Sequence, residues 1–469
     1  MNPLSSRGVS LSVALAAVAL GLLAPPPGAV AATTVQAAAA AFGLGSYTVQ
    51  ELPASGDITD RLTSLAKVPA AAGSATVLHV PAGQVTVHQL VRPANGVYVV
   101  AEPGTTVTWR GSDAYLLRFE SVTGGVYGGT WDGSSHRGST TLVGATGATV
   151  QLVAATFTAA GRYGVSAYQS SRLTLHNVVV SNSDSDGVHV QEYSTLTATG
   201  LTSTRNQRNG VQLSAHSSGT ISNSTLDRNG QAVKGSTTGK TGHGLGVASS
   251  RATVSATSMS GNKVCGVSLS GSADAAISGS HLDRNGRHGL GTVAGTTATI
   301  SDSTADKNGY NGVLASGSGT HVSLQRVTIT SAKKIGLSVP SKGNASLAGS
   351  VISKSGTQNV SVSARGSLTM LDGNTITSAK KHGVAVSEKS TITVSGAGNL
   401  IAGNRKDGLL LMGSGTRGTI TAAVSFHDNH AYNGLVLSKA KLTTVTCSFS
   451  GRGGKKISTH SGGKVTLLH

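Results

Sequence analysis

Four side chains near the middle of the chain are of the types that proton transfer beside a carboxylate requires. Asp186 and His189 stand three residues apart in SDSDGVHV, Arg208 follows in RNQRNG, and His243 lies in TGHGLG. A histidine ionising near neutral pH is suited to taking and returning a proton. A guanidinium can pair bidentately with a substrate carboxylate. Tyr168 and Tyr193 are candidates for protonating a leaving oxygen. Gln212, Arg287, Lys334 and Lys381 are candidate substrate contacts, as are Lys234 and Lys240. Those two lysines sit in an insertion, Gln231 to Thr241, that directly precedes His243 and reads as a cleft wall or lid.

What positions these groups is a repeat. Leading glycines at 164, 187, 210, 244, 266, 289, 312, 336, 383, 408 and 434 recur mostly every 22 to 26 residues. The step of 34 holds one turn plus the insertion. The step of 47 holds two, with Asn359 in the glycine's place. After each glycine the period is two: Val188, Val211, Val267, Val313 and Val384 share a face with Val190, Leu213, Leu269, Ala315 and Val386. His189, Gln212, Ser268, Leu314 and Ala385 point the other way. A unit of this size cannot bury its own apolar face, so stacked units must share a continuous core. With no helical segment in the repeat, the expected fold is all-β, a right-handed parallel β-helix with a short N-terminal capping helix.

Asp57 to Val68 puts Ile58, Leu62 and Leu65 on one helical face and is expected to be that cap. Asn206, Asn229, Asn285, Asn308 and Asn404 recur in one turn, where stacked amides bond along the axis and tolerate left-handed backbone. Asp227, Asp283 and Asp306 precede three of them. Each is followed by Arg or Lys, which argues against a metal cage. Cys265 and Cys447 lie about seven coils apart, roughly 34 Å at strand spacing, and are expected to be free thiols.

The residues just before the repeat glycines are Tyr163, Asp186, Asn209, His243, Cys265, His288, Asn311, Ile335, Gln358, His382, Asp407 and Asn433. Stacking brings successive members within about 4.8 Å, so acid, amide and imidazole groups line up. Asn, Asp and His also suit a turn before glycine for conformational reasons alone.

The 469 residues hold 37 Lys and Arg against 19 Asp and Glu, for a net charge of +18, which implies a polyanionic partner. Residues 301 to 469 carry 14 Lys and 5 Arg against 6 acids. Two places before the glycines, Arg162, Arg208, Arg287, Lys334, Lys381 and Lys406 recur, so these cations read either as a solvated face or as a track for a linear polyanion. Only 3% of residues are aromatic, and without a stacking platform nucleic acid is disfavoured.

Arg7, the apolar run from Leu11 to Leu23, and Ala29-Val30-Ala31 have the order of a signal peptide. The expected organisation is therefore a signal peptide at 1–31, a low-complexity linker at 32–46, and one β-helix domain at 47–469 with regular coils from about 160. That describes an exported, non-membrane-inserted monomer. No cofactor is implied; calcium is left open without a clear ligand set.

The capping helix, the VPAG and GGTWDG segments and at least twelve coils resemble the pectate-lyase-like superfamily of secreted right-handed β-helix proteins over nearly the whole mature chain. Within it, SDSDGVHV is similar to the aspartate-bearing NTDG strand of polygalacturonases, and TGHGLGVASS to their GHG strand. The resemblance implies catalytic roles for Asp186 and His243. Between them that family needs a pair of aspartates, where this chain has Arg208-Asn209. Inverting hydrolysis needs two carboxylates, whereas lyases and C5-epimerases of uronate polymers neutralise the sugar carboxylate and remove the neighbouring proton. The expected activity is thus lyase or C5-epimerase action on an acidic polysaccharide. A polygalacturonase-like hydrolase, or a non-catalytic binding scaffold or adhesin, is the alternative.

Overall fold

Each repeat folds into a coil of two or three short strands, and every strand pairs in parallel with its equivalent one coil away. The computed structural model describes residues 33–133, 140–230, 242–451 and 456–468. The expected signal peptide at 1–31 and the 231–241 insertion, with Lys234 and Lys240, lie outside the described residues.

Two sheets run the length of the solenoid with 18 and 15 strands; the third consists of 7-stranded and 6-stranded parts. Between those parts the ladder thins to single-residue bridges from Thr202 through Thr225, Ser258, His281 and Thr304 to Thr328. Parallel pairing begins at Tyr47–Glu51, which lies beside Ala75–Val80. The register aligns Val188, Val211, Leu245 and Val267 along one inward line, all buried. His189 and Gln212 face outward in the same register, as the period of two requires.

The first helix, α1 (Thr34–Phe42), forms where composition alone reads as a linker. Thr33 and Gln36 form a capping box, and Gly43 closes the helix in a left-handed conformation. Ala38 and Phe42 then pack on Val77, Tyr98 and Val100, outside the main core. This apolar contact converts an alanine-rich segment into a docked helix. The second, α2 (Thr59–Ala66), is the expected cap: Ile58, Leu62 and Ala66 join the main core, with Leu65 partly buried against it.

Asparagine ladders fix the turn before the 15-stranded sheet. The backbone N–H and side-chain amide of Asn206 both donate to Asn229 Oδ1, and Asn229, Asn262 and Asn285 repeat the pattern up to Asn308. The left-handed residue is the one preceding each asparagine, as at Arg205, Arg228 and Arg284, rather than the asparagine itself. The ladder explains the repeat glycine: a Cβ on Gly187 would stand 2.5 Å from Asn206 Nδ2, and one on Gly408 2.7 Å from Asn429 Nδ2. It also explains Asn359. Ser355 and Ala379 hold ladder positions without an amide, and the Asn359 side chain fills the gap, accepting from Ser355 N and donating to Thr377 O.

The aspartates near this turn are structural acceptors. Asp227 takes bonds from Ser258 Oγ and Ser260 N, and Asp283 from Thr304 Oγ1 and Asp306 N. Both cysteines are buried and free, and burial pushes the Cys265 thiol up to about 11.

Candidate functional site

With each repeat glycine pressed inward on the asparagine ladder, the residue before it turns to the outer face of the sheet. There it meets the outward residue three places on. Asp186 and His189 are brought together this way: His189 Nδ1 lies 2.9 Å from Asp186 Oδ2. In the next coil Asn209 Nδ2 donates to Gln212 Oε1 at 2.8 Å, and in the coil after that Gly246 leaves His243 without such a neighbour.

Asp186 is 1% exposed, and its other oxygen accepts the Asn209 backbone N–H at 3.0 Å. A carboxylate so enclosed cannot reach a water molecule; it orients the His189 ring. With a proton on Nδ1 directed at Asp186, Nε2 is the remaining ring position; Gln191 Oε1, an acceptor, lies 3.0 Å from it, so this contact is a hydrogen bond only when Nε2 also carries a proton. The Gln191 amide continues to Glu192 Oε1. Tyr163 stacks on the ring at 4.4 Å, Tyr168 lies 6.0 Å away, and the Arg162 guanidinium covers Tyr163. Burial raises the Tyr168 phenol well above its usual range, with the neighbouring Tyr163 and Tyr115 acting in the same sense, so it keeps its proton.

His243 differs. Its backbone N–H is held by Asn209 Oδ1, and its Nδ1 is buried without a hydrogen-bond partner. Burial lowers its pKa to about 4, opposed by Asp186 and assisted by Arg287 and Arg208. Both guanidiniums therefore act electrically on this imidazole, one on each side along the axis. His288 is likewise lowered to about 4, by burial first and then by Arg287 and His243, and its Nδ1 too is buried and unpartnered.

These two histidines give a pH prediction. Their unfolded value is 6.5 and their folded value about 4, so between those limits the unfolded chain binds more protons than the folded one. Stability is therefore full above about pH 6.5 and falls as pH drops toward 4. Melting temperature measured from pH 7 to 4.5 is expected to decline, and His288→Asn to flatten part of that decline.

Not every expected residue is available to a substrate. Gln212 has both ends engaged, with Asn209 Nδ2 and with Leu213 O, so it braces the column. The cations two places before the glycines do share one backbone ladder, but Ser185, Gly242, Val264, Tyr310 and Thr357 interleave, and only Lys381 and Lys406 are adjacent. Arg287, Lys334 and Lys381 are exposed, and Arg208 is half-buried. The sequence reading missed a second pair in the same column, His382 Nδ1 at 2.8 Å from Asp407 Oδ2 in adjacent coils. The even spacing of that column could have found it. Among the described residues no cluster of three or more His, Cys, Asp or Glu could hold a metal ion.

Similar folds occur among solved structures. The chain is 12% identical to the Dettilon tailspike protein (TM-score 0.38), covering 77% of this chain and 63% of the tailspike. It is 12% identical to the catalytic domain of a GH87 alpha-1,3-glucanase (TM-score 0.48; 70% and 68% covered). With the A-module of the Azotobacter vinelandii mannuronan C-5 epimerase AlgE4 it shares 14% identity (TM-score 0.42; 82% and 94% covered). No curated protein matches it in sequence. The model of the right handed beta helix region matches residues 134–241, 163–329 and 358–469, more than half of the chain, and the protein therefore belongs to that family.

Proposed function

We propose that this is an exported enzyme of acidic polysaccharides that removes the proton at C5 of a uronate residue, as a lyase or a C5-epimerase. The observation carrying the reading is the buried Asp186 carboxylate on His189 Nδ1, which leaves Nε2 to act as base while the adjacent anion offsets the charge gained. Because Gln191 Oε1 can only accept, Nε2 is able to take a proton once its own proton has left and substrate has displaced the Gln191 side chain. His243, with a pKa near 4, stays neutral at working pH, so it serves as a hydrogen-bonding group rather than the base. Arg208 and Arg287 flank it and neutralise the substrate carboxylate, which stabilises the enolate formed when the C5 proton leaves. In elimination the C5–H pair becomes the C4–C5 double bond, the C4–O bond breaks, and Tyr168 protonates the departing oxygen. In epimerisation a proton returns to the opposite face.

Hydrolysis by paired carboxylates is the weaker reading. From Tyr163 to Gln358 the column before the glycines contains no acid besides Asp186, and Asp186 is enclosed. Polyuronates and glycosaminoglycans should be incubated with the protein while absorbance of unsaturated uronate and reducing ends are followed together. A joint rise is expected for a lyase; inverted C5 configuration without either is expected for an epimerase. Reducing ends alone would contradict both.

A further inference from the structure

A second cationic site lies beyond the opposite end of the strands that carry His189, toward the C-terminal end of the solenoid. In the 18-stranded sheet one outward register position can be followed from coil to coil. It holds mostly uncharged polar groups, such as Thr195, Ser218, Thr297, Asn344, Ser367 and Thr391. The fold therefore needs no charge there. Two arginines occur singly along it: Arg172, between Thr149 and Thr195, and Arg251, for which the next coil supplies Asp274, with Nε 3.4 Å from Oδ2.

In the last three coils the cations are consecutive rather than single. Arg417, Lys441 and Lys464 stand in direct register, about 4.8 Å apart at the backbone. Like charges facing each other across a ladder are destabilising, and none of the three forms an ion pair among the described residues. The preceding turn adds Lys439, held in left-handed backbone at φ 64°, a conformation that disfavours a side chain. Gly415 and Gly462 occupy the turn on either side of it and leave room. The four cations open on one cleft of about 570 Å³. The left-handed turn recurs in other coils, as at Lys342, Arg365 and Lys389, but only here does it adjoin three stacked cations with no ion pair among the described residues.

We infer that this cleft binds the anionic groups of a linear polysaccharide, at a site separate from the His189 column. A row of one cation per coil matches regularly repeated anions on an extended chain. The exposed Ser414 adds a hydroxyl for sugar contacts, and no aromatic side chain lines the cleft, which leaves nucleic acid bases nothing to stack on. The site holds the polymer without touching its reacting bond.

The test uses the full chain and two triple variants that remove equal charge. Arg417→Gln, Lys441→Gln and Lys464→Gln form the first. Arg205→Gln, Arg228→Gln and Arg284→Gln, exposed at the asparagine turn, form the control. Binding to heparin, polygalacturonate and duplex DNA is measured at physiological salt. The first variant is expected to bind the two glycans roughly tenfold to a hundredfold more weakly, with an unchanged or higher melting temperature because repulsion has been relieved. The control is expected to bind within about twofold of the parent. Equal losses in both variants, or no loss in the first, would overturn the site. Tighter binding of DNA than of either glycan would overturn its assignment to polysaccharide.

Discussion

His189→Ala is expected to lower turnover of the responsive polyuronate by about 10²–10⁴-fold while leaving polymer binding within a few-fold. Its Nδ1 faces the buried Asp186 carboxylate, an arrangement shared with His382 and Asp407 further along the solenoid, so its removal deletes the proposed base and nothing that holds the polymer. Neighbouring structure has little reason to collapse, because the backbone register through Val188 and Val190 does not depend on the ring. Asp186→Asn separates orientation from charge. The amide oxygen can still accept from Nδ1, but the amide NH2 then opposes the buried Asn209 N–H and the charge that offsets the imidazolium is gone, so both turnover and melting temperature are expected to fall. His243→Gln is expected to raise KM more than it lowers kcat, because a histidine lowered to about 4 is a contact and not a base. Steady-state kinetics of the three variants beside direct binding measurements decide it; loss in His243→Gln equal to that in His189→Ala would reverse the assignment.

Asn262→Ala is expected to cost about 3–5 kcal/mol locally. The Asn262 side chain accepts from Asn229 N and Asn229 Nδ2 and donates to Leu226 O and Asn285 Oδ1. Alanine leaves these buried groups without partners where no water reaches them. In a stacked array each coil contacts only its neighbours, so the loss concentrates in the coils carrying Asn229 and Asn285 rather than spreading evenly. Hydrogen exchange should accelerate in these coils and stay slow near Val77. The exposed Gln325→Ala serves as control and is expected to change stability by less than about 0.5 kcal/mol.

The fold was legible because period-two alternation and the glycine spacing report the same physical event, a strand entering the sheet beside an amide ladder. Asn262 escaped that reading because it lies in SGNKVCG, without the DRNG or DKNG frame of its neighbours. The α1 helix escaped because alanines carry little periodicity; its identity rests on Phe42 meeting Tyr98 at 4.7 Å, a contact between distant positions. At the site, the pairing of Asp186 with His189 follows from residue order, since the glycine between them turns inward. The enclosure of Asp186, the bracing role of Gln212 and the divergent environments of His189 and His243 arise from packing between coils, which no single repeat encodes. The cationic cleft was hidden for a related reason: Arg417, Lys441 and Lys464 are neighbours only once register is known.

The central claim is that His189 takes the C5 proton of a uronate, and solvent exchange tests it most directly. The protein is incubated in deuterated water with the polyuronates, and deuterium at C5 in polymer or products is measured by mass spectrometry and NMR. The account predicts either C5 label in epimerised residues or unsaturated ends formed with loss of the C5 proton, both abolished in His189→Ala. Products with C5–H retained beside new reducing ends, or an unchanged His189→Ala variant, would contradict it.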